Sequence, residues 1–499
     1  MPRVLNRQLR TRRGALAWAC GALAALVARA ACAGGIVFTP CRLEHPTHLV
    51  AVQAECGTLS VPENPAGSGG RQILLRVARV PAINLHKQPD ALFVLAGGPG
   101  MAATAFYTTA AAALARIHRD RDLVLVDQRG TGGSNALDCN MDEEALWRSP
   151  GAALEEQTRR CLAALTAHAA VAFYTTSVAV LDLDRVRDAL GLASIDLYGV
   201  SYGTRVAQHY LRHFPQHTRA VILDGAVPPQ TALGASLALD AQAALENIFE
   251  RCRNASACRA RFGDPEVTYR KVHDTLTRHP VSVHLADPTT GEPRSMQFTQ
   301  LQLATVLRLS SYTSEQAAVL PLILGAAGTH GDYGPLAAQF LIADRSYEDV
   351  LAFGMHNTVV CSEDVPRYRQ AALDRTRLAS TFLGTTELDA LERVCALWPR
   401  GPVDADFHTP LHSATPVLLL VGGNDPITPP AYGRQVSLGL PNSVLLELEG
   451  MGHGQLAAPC VDRIMARFLE RGSAAGLDLA CARRARPAPF FTSFAGPAP

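Results

Sequence analysis

The sequence predicts an α/β chain: a mostly parallel central sheet with helices on both faces, interrupted by a large, mainly helical cap insertion. Three observations carry that expectation. Short apolar runs alternate with helix-like segments from about residue 80 to 235, as a parallel sheet with crossover helices requires. One of these runs, Ile195 to Tyr198, passes through a Gly-x-Ser-x-Gly turn straight into a helix-like stretch, Tyr202 to Phe214. Strand-like runs then give way to mainly helical sequence from about Ser236 to Phe407, and they resume only at Pro416.

Taken in order, Leu92 to Leu95 reads as a buried strand followed by Ala96-Gly97-Gly98-Pro99-Gly100. Leu123 to Val126 is the next, ending in Asp127-Gln128-Arg129-Gly130. Asp127 and Arg129 read as a structural pair shaping the loop beneath the site. Asp182 to Leu190 is a helix ended by Gly191, and Ala220 to Leu223 is the strand after the Tyr202–Phe214 helix. Within the insertion one β-like patch stands out, Val281 to Phe298, with a turn at Asp287 to Pro293. Two strands close the pattern, Pro416 to Val421 and Val444 to Leu448. The expected division is therefore 1–33 export segment, 34–235 first part of the core, 236–407 cap, and 408–499 second part of the core. A cap so placed excludes water and sets substrate size.

The chemistry follows from what ends each strand. A serine on a sharp strand-to-helix turn exposes its hydroxyl above the sheet, and small residues two positions either side prevent clashes. Ser201 is the expected nucleophile. It needs a base, and the base needs an orienting acid. Asp425 sits in Gly422-Gly423-Asn424-Asp425-Pro426 at the end of one late strand, and His453 in Gly450-Met451-Gly452-His453-Gly454 after the next. The expected oxyanion donors are the backbone N–H groups of Tyr202 and Gly98, with Gly97 second. No Gly-Lys-Ser/Thr follows the glycine loop, so a phosphate cradle is excluded. His209, His213 and His217 have metal-like spacing, but Pro215 separates the last from the others, so no metal is expected. No cofactor motif is present.

The combination GGPG, DQRGTGGS, GVSYGT, LDGAVPP, NDPITPP and GMGHG resembles the secreted prolyl and tripeptidyl aminopeptidase family of serine α/β-hydrolases, with its TAP-like C-terminal region. The resemblance runs from about Cys41 to the end. It implies the α/β-hydrolase fold and places nucleophile, acid and base on Ser201, Asp425 and His453. Ala96 departs from the pattern, since prolyl iminopeptidases carry a histidine before GGPG. The family also contains carboxylesterases. An aminopeptidase must hold a free α-ammonium, and related enzymes use acidic cap residues for this. Glu363 and Asp364, beside Cys361, are the candidates for substrate binding; the alternative is a helix-terminal role before Pro366.

The expected function is thus an exported aminopeptidase releasing N-terminal residues or short peptides through an acyl-enzyme. A carboxylesterase or amidase with the same triad is the alternative, and a catalytically dead binding module is the third. Expected partners are a peptide or small ester or amide substrate, without nucleic acid and without stable membrane association once the export segment is removed; the oligomeric state is left open. The first 33 residues have a basic front, an apolar stretch from Ala15 to Ala28, and a small-residue site at Ala31-Cys32-Ala33. Thr11-Arg12-Arg13-Gly14 is close to a twin-arginine signal, and Arg29 argues against lipidation at Cys32. Removing this segment leaves 40 basic against 45 acidic residues, a balance that does not suggest nucleic acid. Ten cysteines remain as near neighbours: Cys41/Cys56, Cys139/Cys161, Cys252/Cys258, Cys361/Cys395 and Cys460/Cys481. Five local disulfides in a periplasmic or extracellular enzyme are expected.

Overall fold

The structure, a computed structural model, describes residues 35–497 apart from 46–49, 68–69, 140, 142–149, 349 and 371–372. The expected export segment lies outside the described residues. The longer strands are β1 (Thr39–Glu44), β2 (Ala51–Pro62), β3 (Gln72–Val80), β4 (Leu92–Leu95), β5 (Leu123–Val126), β6 (Ile195–Val200), β7 (Thr218–Asp224), β8 (Val281–Ala286), β9 (Pro293–Phe298), β10 (Val417–Gly422) and β11 (Ser443–Leu448). Nine of them form one sheet in the order β1-β2-β3-β5-β4-β6-β7-β10-β11. From β5 to β11 every pairing in that order is parallel, whereas β1, β2, β3 and β5 pair antiparallel. This is the α/β-hydrolase fold.

The parallel strands are short unbroken apolar runs because both faces are covered: every residue of β4, β5 and β10 is buried. Alternate residues enter opposite cores. Phe93 and Leu95 point to one side of the sheet, with Leu197, Tyr210 and Trp398. Leu92 and Val94 point to the other, with Leu418, Leu420 and Phe468. The helix Val461–Arg471 shows how its sequence serves this packing: Val461, Ile464, Met465, Phe468 and Leu469 form its buried stripe. The antiparallel strands β1 to β3 were not among the expected elements. Exposed or half-buried positions interrupt the buried ones in β1 and β2, and β3 alternates exposed and buried positions at its start, so no unbroken apolar run marks them.

The expected cap, 236–407, is not one body. Helices from Leu237–Asn254 to Gly334–Glu348, with the β8–β9 hairpin, build a separate core around Leu245, Phe249, Phe298, Leu324 and Phe340. The following helices, Phe353–Glu363 and Thr386–Leu397, return to the sheet instead. Met355, Val359, Val360, Cys395 and Trp398 pack in the same core as β4 and β6. The far C-terminus crosses the other way. Phe490 is buried in the cap core, its ring beneath the Arg251 guanidinium at 4.4 Å, and Phe491 N donates to Ala318 O. The second half of the chain therefore interleaves with the cap rather than following it.

All five expected disulfides are present: Cys41–Cys56, Cys139–Cys161, Cys252–Cys258, Cys361–Cys395 and Cys460–Cys481. Each local bridge of this kind stabilises a fold by roughly 2–4 kcal/mol. Among the described residues no helix is long and apolar enough to cross a membrane.

Candidate active site

β6 ends at Val200 and the elbow helix begins at Tyr202, so Ser201 alone makes the turn. It does so at φ 55° and ψ −124°, a conformation that costs a non-glycine residue about 1–3 kcal/mol. The flanking glycines are there because strand, turn and helix touch. A Cβ on Gly199 would lie 2.4 Å from Gly203 O, and one on Gly203 would lie 2.4 Å from Leu95 O. The loop after β4 lies directly against Ser201 at Gly97, where a Cβ would stand 3.2 Å from Ser201 Cβ. Gly98 instead turns toward Leu351. Of the loop's two glycines, Gly97, the second of the expected donors, is the one whose Cβ position faces Ser201. Among the described residues, neither Gly97 N nor Tyr202 N donates to a backbone carbonyl.

Asp425 is held in its own turn. Its Oδ1 accepts from Ile427 N and Thr428 N, both at 2.8 Å, and its Oδ2 accepts from Thr428 Oγ1 at 2.7 Å. The same Oδ2 lies 2.7 Å from His453 Nδ1, so the ring donates there and leaves Nε2 as the acceptor. Burial pulls the His453 pKa down, but the Asp425 carboxylate and, beyond it, Asp224 outweigh burial and raise it above its ordinary value. The loop is anchored from the cap: His453 N donates to Tyr312 O at 2.7 Å, and the two rings meet edge to face at 5.4 Å. Among the described residues no hydrogen bond joins Ser201 Oγ to the His453 ring. Such bonds are often long before substrate binds.

Asp224, at the end of β7, connects the two halves of the site and escaped the sequence reading. Its backbone oxygen accepts from Ser201 N at 2.9 Å. Its carboxylate accepts from Gln455 N, also at 2.9 Å, and from the Tyr198 hydroxyl. Burial raises its pKa to about 6, against the pull of those donors. Its only sequence signal was its place in LDGAVPP. Tyr312 left no signal, because its neighbour is brought by the fold.

Glu363 and Asp364 do not reach the substrate side of the site. Both are fully buried beneath the elbow helix. Glu363 accepts from Thr176 N at 2.7 Å and Thr176 Oγ1 at 3.0 Å; Asp364 accepts from Arg205 Nη1 at 2.9 Å and from Leu233 N. Glu363 ends its helix, whereas Asp364 stands at the N-terminus of the short 3-10 turn Val365–Arg367, as the alternative expected, but does not cap it with its side chain. Two carboxylates share one guanidinium, and burial raises the Glu363 pKa to about 8. Thr176 Oγ1 in turn lies 2.5 Å from the Tyr202 hydroxyl, which also accepts from Gln128 Nε2. The cluster therefore holds the first residue of the elbow helix from below.

Asp127 and Arg129 shape their loop but not as a pair. Asp127 accepts from Thr104 N and Gly133 N. Arg129 forks onto Asp182 at 2.6 and 2.8 Å and donates to the carbonyls of Glu63 and Phe173. Of the three histidines, His217 stands apart and bonds Asp184 through Nδ1.

A strained serine elbow, a carboxylate-oriented histidine and a parallel sheet define an α/β-hydrolase, and comparison with known proteins narrows the class. Residues 90–260 match the family model for the alpha/beta hydrolase fold, and residues 380–481 match the model for TAP-like protein. Serine protease Hip1 of Mycobacterium tuberculosis is 28% identical over 88% of this chain and 89% of its own length. Carboxylesterase B of the same organism is 30% identical over 86% of each chain. Tripeptidyl aminopeptidase of Streptomyces lividans is 24% identical over 87% of this chain and 85% of its own. The chain belongs to the TAP-like family of serine α/β-hydrolases, and it is a serine hydrolase.

Proposed function

We propose that this enzyme is an exported aminopeptidase that releases N-terminal residues or short peptides, with Ser201, His453 and Asp425 as its triad. The observation that carries the exopeptidase reading is the enclosure of the site by the insertion on two sides. Leu351 bridges Met101 and Ala352 N donates to Gly100 O, so the insertion lies along the glycine loop. Tyr312, from the cap, grips the histidine loop on the opposite side. Contacts of the insertion with both loops that flank Ser201 favour the end of a chain over its middle. Peptidase relatives and five disulfides support peptide substrates and an oxidising compartment.

In this reading Ser201 Oγ attacks the scissile carbonyl while His453 Nε2 takes its proton, and Asp425 fixes the ring's tautomer. The developing oxyanion is received by the backbone N–H groups of Tyr202 and Gly97, with the elbow helix N-terminus behind them. His453 then protonates the leaving amine, and water activated by the same ring releases the acid. With Glu363 and Asp364 committed to Thr176 and Arg205, the α-ammonium must be met by other groups. That same commitment favours the second reading, an esterase or amidase with the identical triad.

Matched aryl substrates separate the two. Free-amine tripeptidyl and aminoacyl anilides, their N-acetylated twins and simple acyl esters would be compared, with Ser201→Ala as control. Cleavage of the free-amine anilides, lost on acetylation, is the expected result. Ester turnover without anilide cleavage would overturn the peptidase reading and leave the esterase.

A further inference from the structure

At the far end of the elbow helix from Ser201, three ligand-type atoms converge. His209 and His213 lie one turn apart near the helix C-terminus, on the same face. Asp404, brought in by the segment leading from the insertion back to β10, places Oδ2 at 2.8 Å from His209 Nε2 and 3.3 Å from His213 Nε2. All three ligand atoms fall within 4.8 Å of one another. The sequence expectation of no metal rested on His217, which Pro215 indeed carries away to Asp184. The third ligand comes instead from a residue distant in the chain.

We propose that His209, His213 and Asp404 form a binding site for a divalent first-row transition ion, with zinc the best-suited occupant. Two imidazoles and a carboxylate are the donor set zinc accepts. Ligands at about 2.0–2.2 Å from a common ion stand roughly 3 to 3.5 Å apart; the His213–Asp404 separation of 3.3 Å matches this, and the 2.8 Å between His209 and Asp404 needs only a small opening of that pair. Ser177 Oγ accepts from Asp404 N at 3.0 Å, fixing the carboxylate's backbone, and lies 3.4 Å from His209 Nε2. Phe407 packs edge-on against the His209 ring at 4.7 Å and gives the site an apolar wall. The neighbouring cation, Arg212, is turned to Thr409, to which it donates twice. The negative end of the helix dipole favours a cation here. His213 and Asp404 are only partly buried, so the site has an open side for entry and for a water ligand. The ion would clip the returning segment to the elbow helix, a structural role separate from the hydrolytic chemistry.

The test uses untagged, disulfide-intact protein, stripped with chelator and then dialysed against zinc, with bound metal counted by mass spectrometry and melting followed by circular dichroism. The expected result is one zinc per chain and a zinc-dependent rise in melting temperature. His213→Ala and Asp404→Asn should each abolish both, while His217→Ala retains both. Substoichiometric zinc in the parent protein, or undiminished zinc in the His213 and Asp404 variants, would overturn the site. Loss in His217→Ala with retention in Asp404→Asn would overturn it equally, by moving the ligands to the histidine triplet.

Discussion

Asp224 holds Gln455 by two equal contacts: Gln455 N lies 2.9 Å from each of its carboxylate oxygens. Gln455 follows His453 by two residues, and the Asp224 backbone oxygen accepts from Ser201 N. One buried residue therefore ties the Ser201 turn and the His453 loop together. Asp224→Ala should leave both loops adrift, with kcat falling on the order of 10²-fold, as small misplacements of reacting groups do. Unchanged kinetics in a folded Asp224→Ala variant would refute the tether.

The charge of Asp224 has its own signature. As the proposed base, His453 has to be neutral, and its pKa is raised by Asp425 and Asp224 against the effect of burial. As pH falls through that raised value the ring protonates and stops accepting the serine proton. The acid limb of kcat/KM should accordingly have its midpoint above 6.5. Asp224→Asn removes one of the two carboxylates and should move that limb to lower pH. Profiles of both proteins on one substrate decide it; a limb that stays in place would show that Asp224 acts by geometry alone.

Glu363 predicts a pH dependence of stability. Its pKa is raised by burial to about 8, so the folded state keeps a proton that the unfolded chain releases above its ordinary carboxylate pKa. The sign is then fixed: stability falls as pH rises from about 4.5 to about 8 and levels off beyond. Glu363→Gln keeps an acceptor for Thr176 N, and its amide can donate to Thr176 Oγ1. Relative to the parent, this variant should gain stability across that window, on the order of a few kcal/mol at most. Denaturant melts at pH 5 and pH 8 measure the difference. KM for a free-amine substrate should not move, because the carboxylate faces Thr176.

The loop after β4 offers a steric test. A methyl group at Gly97 would press on Ser201 Cβ at 3.2 Å and on Val200 O at 3.4 Å. Gly97→Ala should lower kcat by about 10²–10³-fold if it displaces an oxyanion donor. KM should change little. A variant with parental kcat would remove Gly97 from the oxyanion site.

The legible parts of this chain are those where local chemistry decides. Ser201, Asp425 and His453 each follow a strand in a turn rich in glycine or proline, so their places at one end of the sheet, in that chain order, are legible. The parallel strands announced themselves as unbroken apolar runs. β1 to β3 did not, because polar and charged residues interrupt each of them. Glu363 and Asp364 looked like a free acidic pair; only the packing of Arg205 and Thr176 against them shows otherwise. Asp224 reads as an ordinary strand end until the Gln455 backbone arrives from the other end of the chain. Asp404 meets His209 across 195 residues, a contact no spacing rule encodes.

The most direct test of the account is where a fluorophosphonate attaches. Folded protein would be treated with the probe, digested and mapped by mass spectrometry, with Ser201→Ala and His453→Ala in parallel. The account predicts one adduct, on Ser201, absent in the first variant and strongly slowed in the second. No adduct in folded protein, or an adduct elsewhere that survives Ser201→Ala, would contradict it.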